Sequence, residues 1–284
     1  MMKKIFYIFF LLLGVGLFAE TEVEKKEVNG TTPIAEKAGV NVSKEEVKKV
    51  ISATRGDIKV IEASENIRYL SQKIVKDYLF FYKNQDKVEV KRELDRALAK
   101  LTDDFRIIAT TTKDEDTKDI LEFLAYSKDQ IEEIFNEKAD KERVALMLDY
   151  SETLLEGADS IAKAHKYDFS DEEKMLMVTK EMEYLLERVS KYYMAIHVGF
   201  NSAMYKGQMQ EATSKLEENI AEINSYPYPD ELKKTQVKMN ESWKANKRFF
   251  DQSETLFIPK LMFTSVDYME DAVLQIALYH SKNQ

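Results

Sequence analysis

The sequence contains no cysteine and little glycine or proline, with 8 and 4 of these residues among 284. Without cysteine there can be no disulfides, thiol catalysis, c-type haem attachment or lipid-modified amino-terminal cysteine. The shortage of glycine and proline, together with 33% charged and 44% hydrophobic residues, favours long helices with charged outer faces over a sandwich or barrel. The length suits one large domain or two smaller ones.

Features of enzymes and nucleic-acid-binding proteins are also missing. The net charge of −9 argues against a nucleic-acid partner, because an acidic surface repels phosphates. The sequence has no P-loop, no G-x-S-x-G and no dinucleotide-binding glycine motif. His165, His197 and His280 lack the His-x-x-x-His and Glu-x-x-His spacings of helical metal sites. We therefore expect no enzyme activity, no metal and no cofactor, and we attribute His165 and His280 to favourable interaction with helix carboxyl ends.

The amino terminus has the pattern of a cleaved signal peptide at residues 1–19. Lys3 and Lys4 precede the apolar run IFYIFFLLLGVGLF, and Leu17 and Ala19 fit a cleavage site before Glu20. Residues 20–42 are polar and non-periodic, which predicts a flexible tether. We expect an exported, periplasmic protein, with an uncleaved signal anchor as the alternative.

The rest of the chain matches itself at an offset of 115 residues. Matching pairs at this offset include Tyr69 and Tyr184, Leu146 and Leu261, and His165 and His280. A shared register over this length predicts a duplicated unit. We expect an all-α fold of two tandem antiparallel four-helix bundles, at 43–169 and 170–284. The two bundles could stack end to end, in which case the first helix of the second bundle would continue the last helix of the first bundle.

Apolar periodicity and capping residues locate eight helices. The predicted helices lie near 57–83, 88–110, 116–136, 140–166, 171–203, 206–225, 229–251 and 256–281. Residues 43–55 either extend the first helix or form a short one. Ser43 with Glu46 and Ser170 with Glu173 match capping boxes, and Pro259 fits a first turn. The predicted core stripes of the fourth and eighth helices are Leu146, Leu148, Leu154, Leu155, Ile161 and Ala162, and Ile258, Leu261, Met262, Met269, Val273 and Ile276.

One stretch of the first helix resembles a known family. SENIRYLSQKIVKDYL, residues 64–79, resembles the signature helix of the PilJ/NarX-type sensor domain, the amino-terminal domain of type IV pili methyl-accepting chemotaxis transducers. That signature runs roughly A-G-R-Q-R-M-L-S-Q-R-x-A-K-x-Y-L. The matching residues are Arg68, Leu70, Ser71, Gln72, Lys76, Tyr78 and Leu79, with Lys73 in place of an arginine. A second copy, EYLLERVSKYY at 183–193, retains Arg188, Lys191 and Tyr193.

The resemblance implies an extracytoplasmic sensor in two tandem copies. By position, Arg68 would bind a small oxyanion such as nitrate or nitrite, with Ser71 and Gln72 assisting. The resemblance implies that this ligand lies between the first helices of a homodimer. A guanidinium suits this task because it can donate two hydrogen bonds to oxyanion oxygens. The residues also allow another interpretation, in which Arg68 pairs with Glu65 three positions earlier.

The sequence is therefore compatible with two functions. The first is a periplasmic ligand-binding sensor that signals through a separate membrane-bound or envelope partner. The second is a periplasmic structural or interaction scaffold without a small-molecule ligand.

Overall fold

Helices make up almost all of the described chain. The computed structural model describes residues 44–86 and 88–284, with side chains given from residue 55 onward. Within that range the chain forms eight α-helices and no strand, which confirms the predicted all-α class. The helices are α1 Lys44–Lys83, α2 Val88–Thr111, α3 Glu115–Asn136, α4 Lys141–Ala164, α5 Asp171–His197, α6 Ala203–Ser225, α7 Asp230–Asp251 and α8 Pro259–Lys282. The signal peptide, the tether and the Ser43 cap lie outside the described residues.

The helix ends follow the capping residues closely. Ser170 and Glu173 form the predicted capping box of α5, and Pro259 lies in the first turn of α8. Residues 44–55 extend α1, one of the two expected outcomes. The predicted end of α5 near 203 is wrong, because the helix stops at His197 and Gly199 adopts a φ of 103°. A positive φ favours glycine and breaks the helical hydrogen-bond ladder. None of the helices in the described part is long and apolar enough to cross a membrane.

Helices α1 and α5 lie at the centre of the arrangement. α1 packs against α2, α4 and α5, whereas α5 packs against α1, α6 and α8; α3 packs on α4, and α7 on α8. α1 and α5 run parallel, since Arg68 contacts Tyr184 and, further along both helices, Lys76 contacts Glu187. End-to-end stacking is therefore not observed, because α5 lies alongside α1. The described residues from 44 onward form one compact unit, and the boundary predicted at 169/170 falls in the turn before α5.

One hydrophobic core includes buried side chains from all eight helices. Most of the predicted core residues of α4 and α8 are buried, but Leu146 and Leu261 are 41% and 57% exposed, and Ile258 is 39% exposed. The following residues, Met147 and Met262, are fully buried instead. Adjacent helix positions differ by about 100° around the axis, and Leu146 and Leu261 are the members of these two pairs that turn toward solvent.

Helices α3 and α4 approach closely at Gly157. A Cβ added there would lie 2.5 Å from Cδ2 and 2.9 Å from Cγ of Leu124, which is fully buried. At the positions 115 residues further on, the chain has Ala272 and Met239, both fully buried. Methionine is more flexible than leucine and adapts better to a neighbouring methyl group. The close α3–α4 contact therefore depends on glycine opposite leucine.

We expect Gly157→Ala to lower the free energy of unfolding by about 1–2 kcal/mol, because overpacking outweighs the better helix propensity of alanine. Adding Leu124→Met should recover most of that loss. The matched control is Gly207→Ala in α6, where a Cβ meets nothing within 4 Å. That change should stabilise the protein by about 0.5–1 kcal/mol. Urea denaturation measures the free energy of unfolding of the three variants. Equal changes in that free energy for Gly157→Ala and Gly207→Ala would contradict the described contact.

Candidate functional site

Arg68 on α1 is held by carboxylates and an aromatic ring. Its Nη1 donates to both carboxylate oxygens of Glu65, at 2.7 and 2.8 Å, and its Nη2 lies 3.7 Å from Oδ1 of Asp159 on α4. The guanidinium carbon lies 4.1 Å from the ring centroid of Tyr184 on α5, within cation–π range. Burial raises the pKa of Glu65, although Arg68 opposes that shift. The pairing of Arg68 with Glu65 that the sequence spacing allowed is thus present.

Ser71 and Gln72, the other two predicted ligand residues, are fully buried. Oγ of Ser71 donates to the carbonyl oxygen of Arg68 at 2.7 Å. Nε2 of Gln72 lies 3.0 Å from Oγ of Ser71 and donates to the carbonyl oxygen of Ser151 on α4 at 3.3 Å. The three predicted residues are neighbours on α1, but only Arg68 lines the cleft described next.

A cleft of about 460 Å³ opens beside Arg68, where α1, α4, α5 and α6 meet. Its size lies within the range of small-molecule sites. Five carboxylates line it: Glu152, Glu156, Asp159, Glu181 and Glu211. Four cationic side chains also line it: Arg68, Lys163, Arg188 and Lys215. Tyr184, Leu155, Leu185 and Ala212 complete the surface, so the cleft combines many charges with a short apolar stretch.

Buried charges lie between α1, α5 and α8. Glu187 of α5 is 0% exposed, and its Oε2 lies 2.7 Å from Nζ of Lys76 on α1, while Nζ of Lys73 lies 3.4 Å from its Oε1. Burial would raise the pKa of Glu187, but the two lysines outweigh it and hold that pKa below its usual value. Burial and the neighbouring Glu187 raise the pKa of Glu270 on α8 well above its usual value. We call Lys73, Lys76 and Glu187 the first ionic cluster.

A second ionic cluster, formed by Glu152, Arg188 and Lys191, lies between α4 and α5. Nζ of Lys191, which is fully buried, donates to Oγ of Ser151 at 3.0 Å and bonds to the Glu152 carboxylate. Nη2 of Arg188 lies 2.8 Å from the same carboxylate. Burial lowers the pKa of Lys191 to about 8, against the opposing effect of Glu152. Because Glu152 and Arg188 line the cleft, this cluster forms part of its wall.

Two histidines pair with carboxylates at the ends of helices. Nδ1 of His165 lies 2.8 Å from Oδ1 of Asp57, and its Nε2 lies 3.0 Å from Oγ1 of Thr117. Nδ1 of His280 lies 2.5 Å from Oε2 of Glu172, and its Nε2 lies 2.7 Å from the Tyr228 hydroxyl. Both carboxylate partners are 108 residues away in sequence, so local spacing could not reveal them. In the described range, no three or more His, Asp or Glu side chains are placed so that they could hold a metal ion.

No protein-family model, curated protein or solved structure matches the chain. The resemblance of residues 64–79 to the PilJ/NarX-type signature therefore stays a prediction.

The second ionic cluster predicts a pH dependence. The Lys191 amine binds its proton less tightly in the folded chain, at a pKa of about 8, than in the unfolded chain, at about 10.5. Rising pH therefore favours the folded state at this residue, and falling pH through the folded pKa removes that contribution. Relative to Lys191→Met, the wild-type free energy of unfolding should rise by about 2 kcal/mol between about pH 7.5 and 9.5.

Urea denaturation of both proteins across this range measures the difference, and titrations shared by the two proteins cancel. A difference that stays flat or falls with pH would contradict the burial described for Lys191.

Proposed function

We propose that the chain is an exported, helical ligand-binding sensor module, built from two copies of one four-helix unit, that signals through a separate membrane-bound or envelope partner. The observation that carries the proposal is the cleft of about 460 Å³, to which α1 contributes Arg68 and α5 contributes Tyr184 and Arg188. A concave site with a few convergent polar groups beside perturbed titratable residues is the usual form of a ligand site.

Pairs of contacts at equal spacing support the duplication. Asp57–His165 and Glu172–His280 are carboxylate–imidazole pairs whose members are offset by 115 residues. Nδ2 of Asn66 donates to Oδ1 of Asp104, and Nδ2 of Asn219 donates to Oε2 of Glu181; both pairs span 38 residues. Asn66 and Glu181 are 115 residues apart, and so are Asp104 and Asn219. The amide and the carboxylate are therefore exchanged between the two pairs. Helix packing repeats as well, since α1 contacts α2 and α4 while α5 contacts α6 and α8.

The parallel α1–α5 pair supports the location of the site. The resemblance implies a ligand held between the first helices of two copies. In this chain α1 and α5, the first helices of the two predicted units, both line the same cleft. A homodimer through α1, which the resemblance also implies, is not needed to complete the cleft, because α5 supplies the second helix.

A structural or interaction scaffold is the second candidate. Exposed aromatic side chains favour it, above all Phe123 and Tyr126 on α3, which are 63% and 59% exposed. Apolar side chains exposed near one another are typical of protein-contact surfaces. A scaffold of this kind would need no small ligand.

A thermal-shift screen separates the two functions. The screen covers nitrate, nitrite, other small anions and amino acids. Binding raises the free energy of unfolding by RT ln(1 + [L]/Kd), about 2.7 kcal/mol at a hundred times Kd. We expect at least one compound to raise the melting temperature of the wild type, and Arg68→Ala to lose that rise.

The matched control is Arg106→Ala. Arg106 pairs with Asp103 three residues earlier at 2.7 Å, as Arg68 pairs with Glu65, but it is exposed on α2 and lies outside the cleft. Arg106→Ala should keep the ligand-induced rise. Because each variant has its own baseline melting temperature, only the change on adding compound is compared. A flat screen, or a rise that survives in Arg68→Ala, would contradict a ligand site at this cleft.

A further inference from the structure

One side of α3 exposes acidic and aromatic side chains. Six exposed residues between positions 119 and 133 lie on this side: Asp119, Glu122, Phe123, Tyr126, Asp129 and Glu133. At about 100° per residue, they occupy about a third of the helix circumference. We call these six residues the α3 face. Its charged groups are four carboxylates, so the face is strongly acidic.

One side of α7 exposes mainly basic side chains. Six exposed residues between positions 234 and 248 lie on this side: Lys234, Val237, Glu241, Lys244, Ala245 and Arg248. We call these six residues the α7 face. At the offset of 115 residues, three positions carry opposite charges on the two faces: Asp119 and Lys234, Asp129 and Lys244, and Glu133 and Arg248. The two faces are therefore complementary in charge.

Most charges of the two faces are unused within the chain. Five of them form no ion pair with any described residue: Asp119, Glu122, Lys234, Lys244 and Arg248. Asp129 pairs with its neighbour Lys128 at 2.8 Å, and Glu133 accepts a hydrogen bond from Gln130 of the same helix at 3.2 Å. The α3 and α7 faces of one chain thus do not neutralise each other.

Apolar side chains accompany the charges on both faces. Phe123 and Tyr126 on α3 are 63% and 59% exposed, and Val237 on α7 is 56% exposed. Exposed apolar groups surrounded by polar side chains are typical of protein-contact surfaces, and aromatic residues are enriched there. A helix face that only meets water needs charges but no aromatic rings. The pattern therefore favours contact with another protein surface.

The spacing of the charges also matches between the faces. Asp119 and Glu133 are 14 residues apart, and so are Lys234 and Arg248. At 1.5 Å per residue, each pair spans about 21 Å along its helix. Two such helices lying side by side can therefore bring opposite charges together at both ends of the contact at once.

We propose that the α3 face of one copy of this chain binds the α7 face of a second copy. Such a contact leaves an unused α7 face on one copy and an unused α3 face on the other, so it is heterologous and further copies can add. The inference goes beyond the proposed function and does not depend on it, because neither face lines the cleft. It also differs from a homodimer through α1.

Sedimentation velocity of the purified protein over a range of concentrations tests the inference. At about 0.05 M salt the average mass should rise with concentration, and about 0.5 M salt should return the protein towards the monomer, because salt screens exposed charges. Two variants give each face the charges of the other, Asp119→Lys/Glu133→Arg and Lys234→Asp/Arg248→Glu. Each variant alone should raise the Kd of association at least about tenfold, since like charges then meet.

A mixture of the two variants should associate again. The unchanged α7 face of the first variant then meets the unchanged α3 face of the second. The matched control is Asp95→Lys/Glu222→Lys, which changes the net charge as much as the α3 variant does, at exposed positions on α2 and α6. This control should associate like the wild type.

Four outcomes would overturn the inference. The first is a monomer at every concentration in low salt. The second is association that survives in either of the two face variants, which would place the contact elsewhere. The third is an equal loss in the control, which would assign the association to net charge. The fourth is a mixture of the two variants that stays monomeric although circular dichroism shows both to be folded.

Discussion

The contact of α1 with α5 is the constraint on which the rest of the structure depends. Lys73 and Lys76 of α1 meet Glu187 of α5 in the interior, and this pairing sets the relative register of the two helices. A buried ion pair adds little net stability over apolar packing, because desolvation offsets the attraction. It nevertheless penalises any shift of the two helices, since a shift would leave a buried charge without its partner. The ionic cluster therefore specifies an arrangement that apolar contacts alone would leave less well defined.

The cleft follows from that register. With α5 beside α1, Tyr184 lies against the Arg68 guanidinium, and Arg188 and Lys191 reach Glu152 on α4. α6 packs on α5 and contributes Glu211 to the same cleft. Helix α1 and the three consecutive helices α4, α5 and α6 thus converge on one concave surface. All four cationic side chains of that surface form ion pairs within the chain.

Helix positions were largely predictable from the sequence, because apolar periodicity and capping are local properties. The Ser170–Glu173 box and Pro259 located helix starts correctly, whereas the single Gly199 gave too weak a signal to end α5. The apolar stripe of the fourth helix predicts Leu146 in the core, yet Met147 occupies the inward position. Choosing between adjacent apolar residues requires the direction of the neighbouring helices, which one helix cannot supply.

The candidate site was predictable only where its contacts are local. The spacing of Glu65 and Arg68 indicated their ion pair, but the Tyr184 ring beneath the guanidinium comes from α5, 116 residues away. The sequence gives no sign that Glu187 is buried, because an acidic residue in a charged helix is usually solvated. Its burial against two lysines depends on the α1–α5 packing. Ser71 and Gln72 lie in the stretch predicted to bind a ligand, yet their side chains bond to α1 and α4 in the interior.

The most direct test of the α1–α5 register is a double-mutant cycle between Lys76→Met and Glu187→Gln, followed by urea denaturation. Each single change leaves a buried partner with less compensation and should cost about 3–5 kcal/mol. The described pairing predicts that the double variant loses less than the sum of the two, by at least about 1 kcal/mol. Additive losses would mean that Lys76 and Glu187 do not interact, and would contradict the parallel packing of α1 on α5.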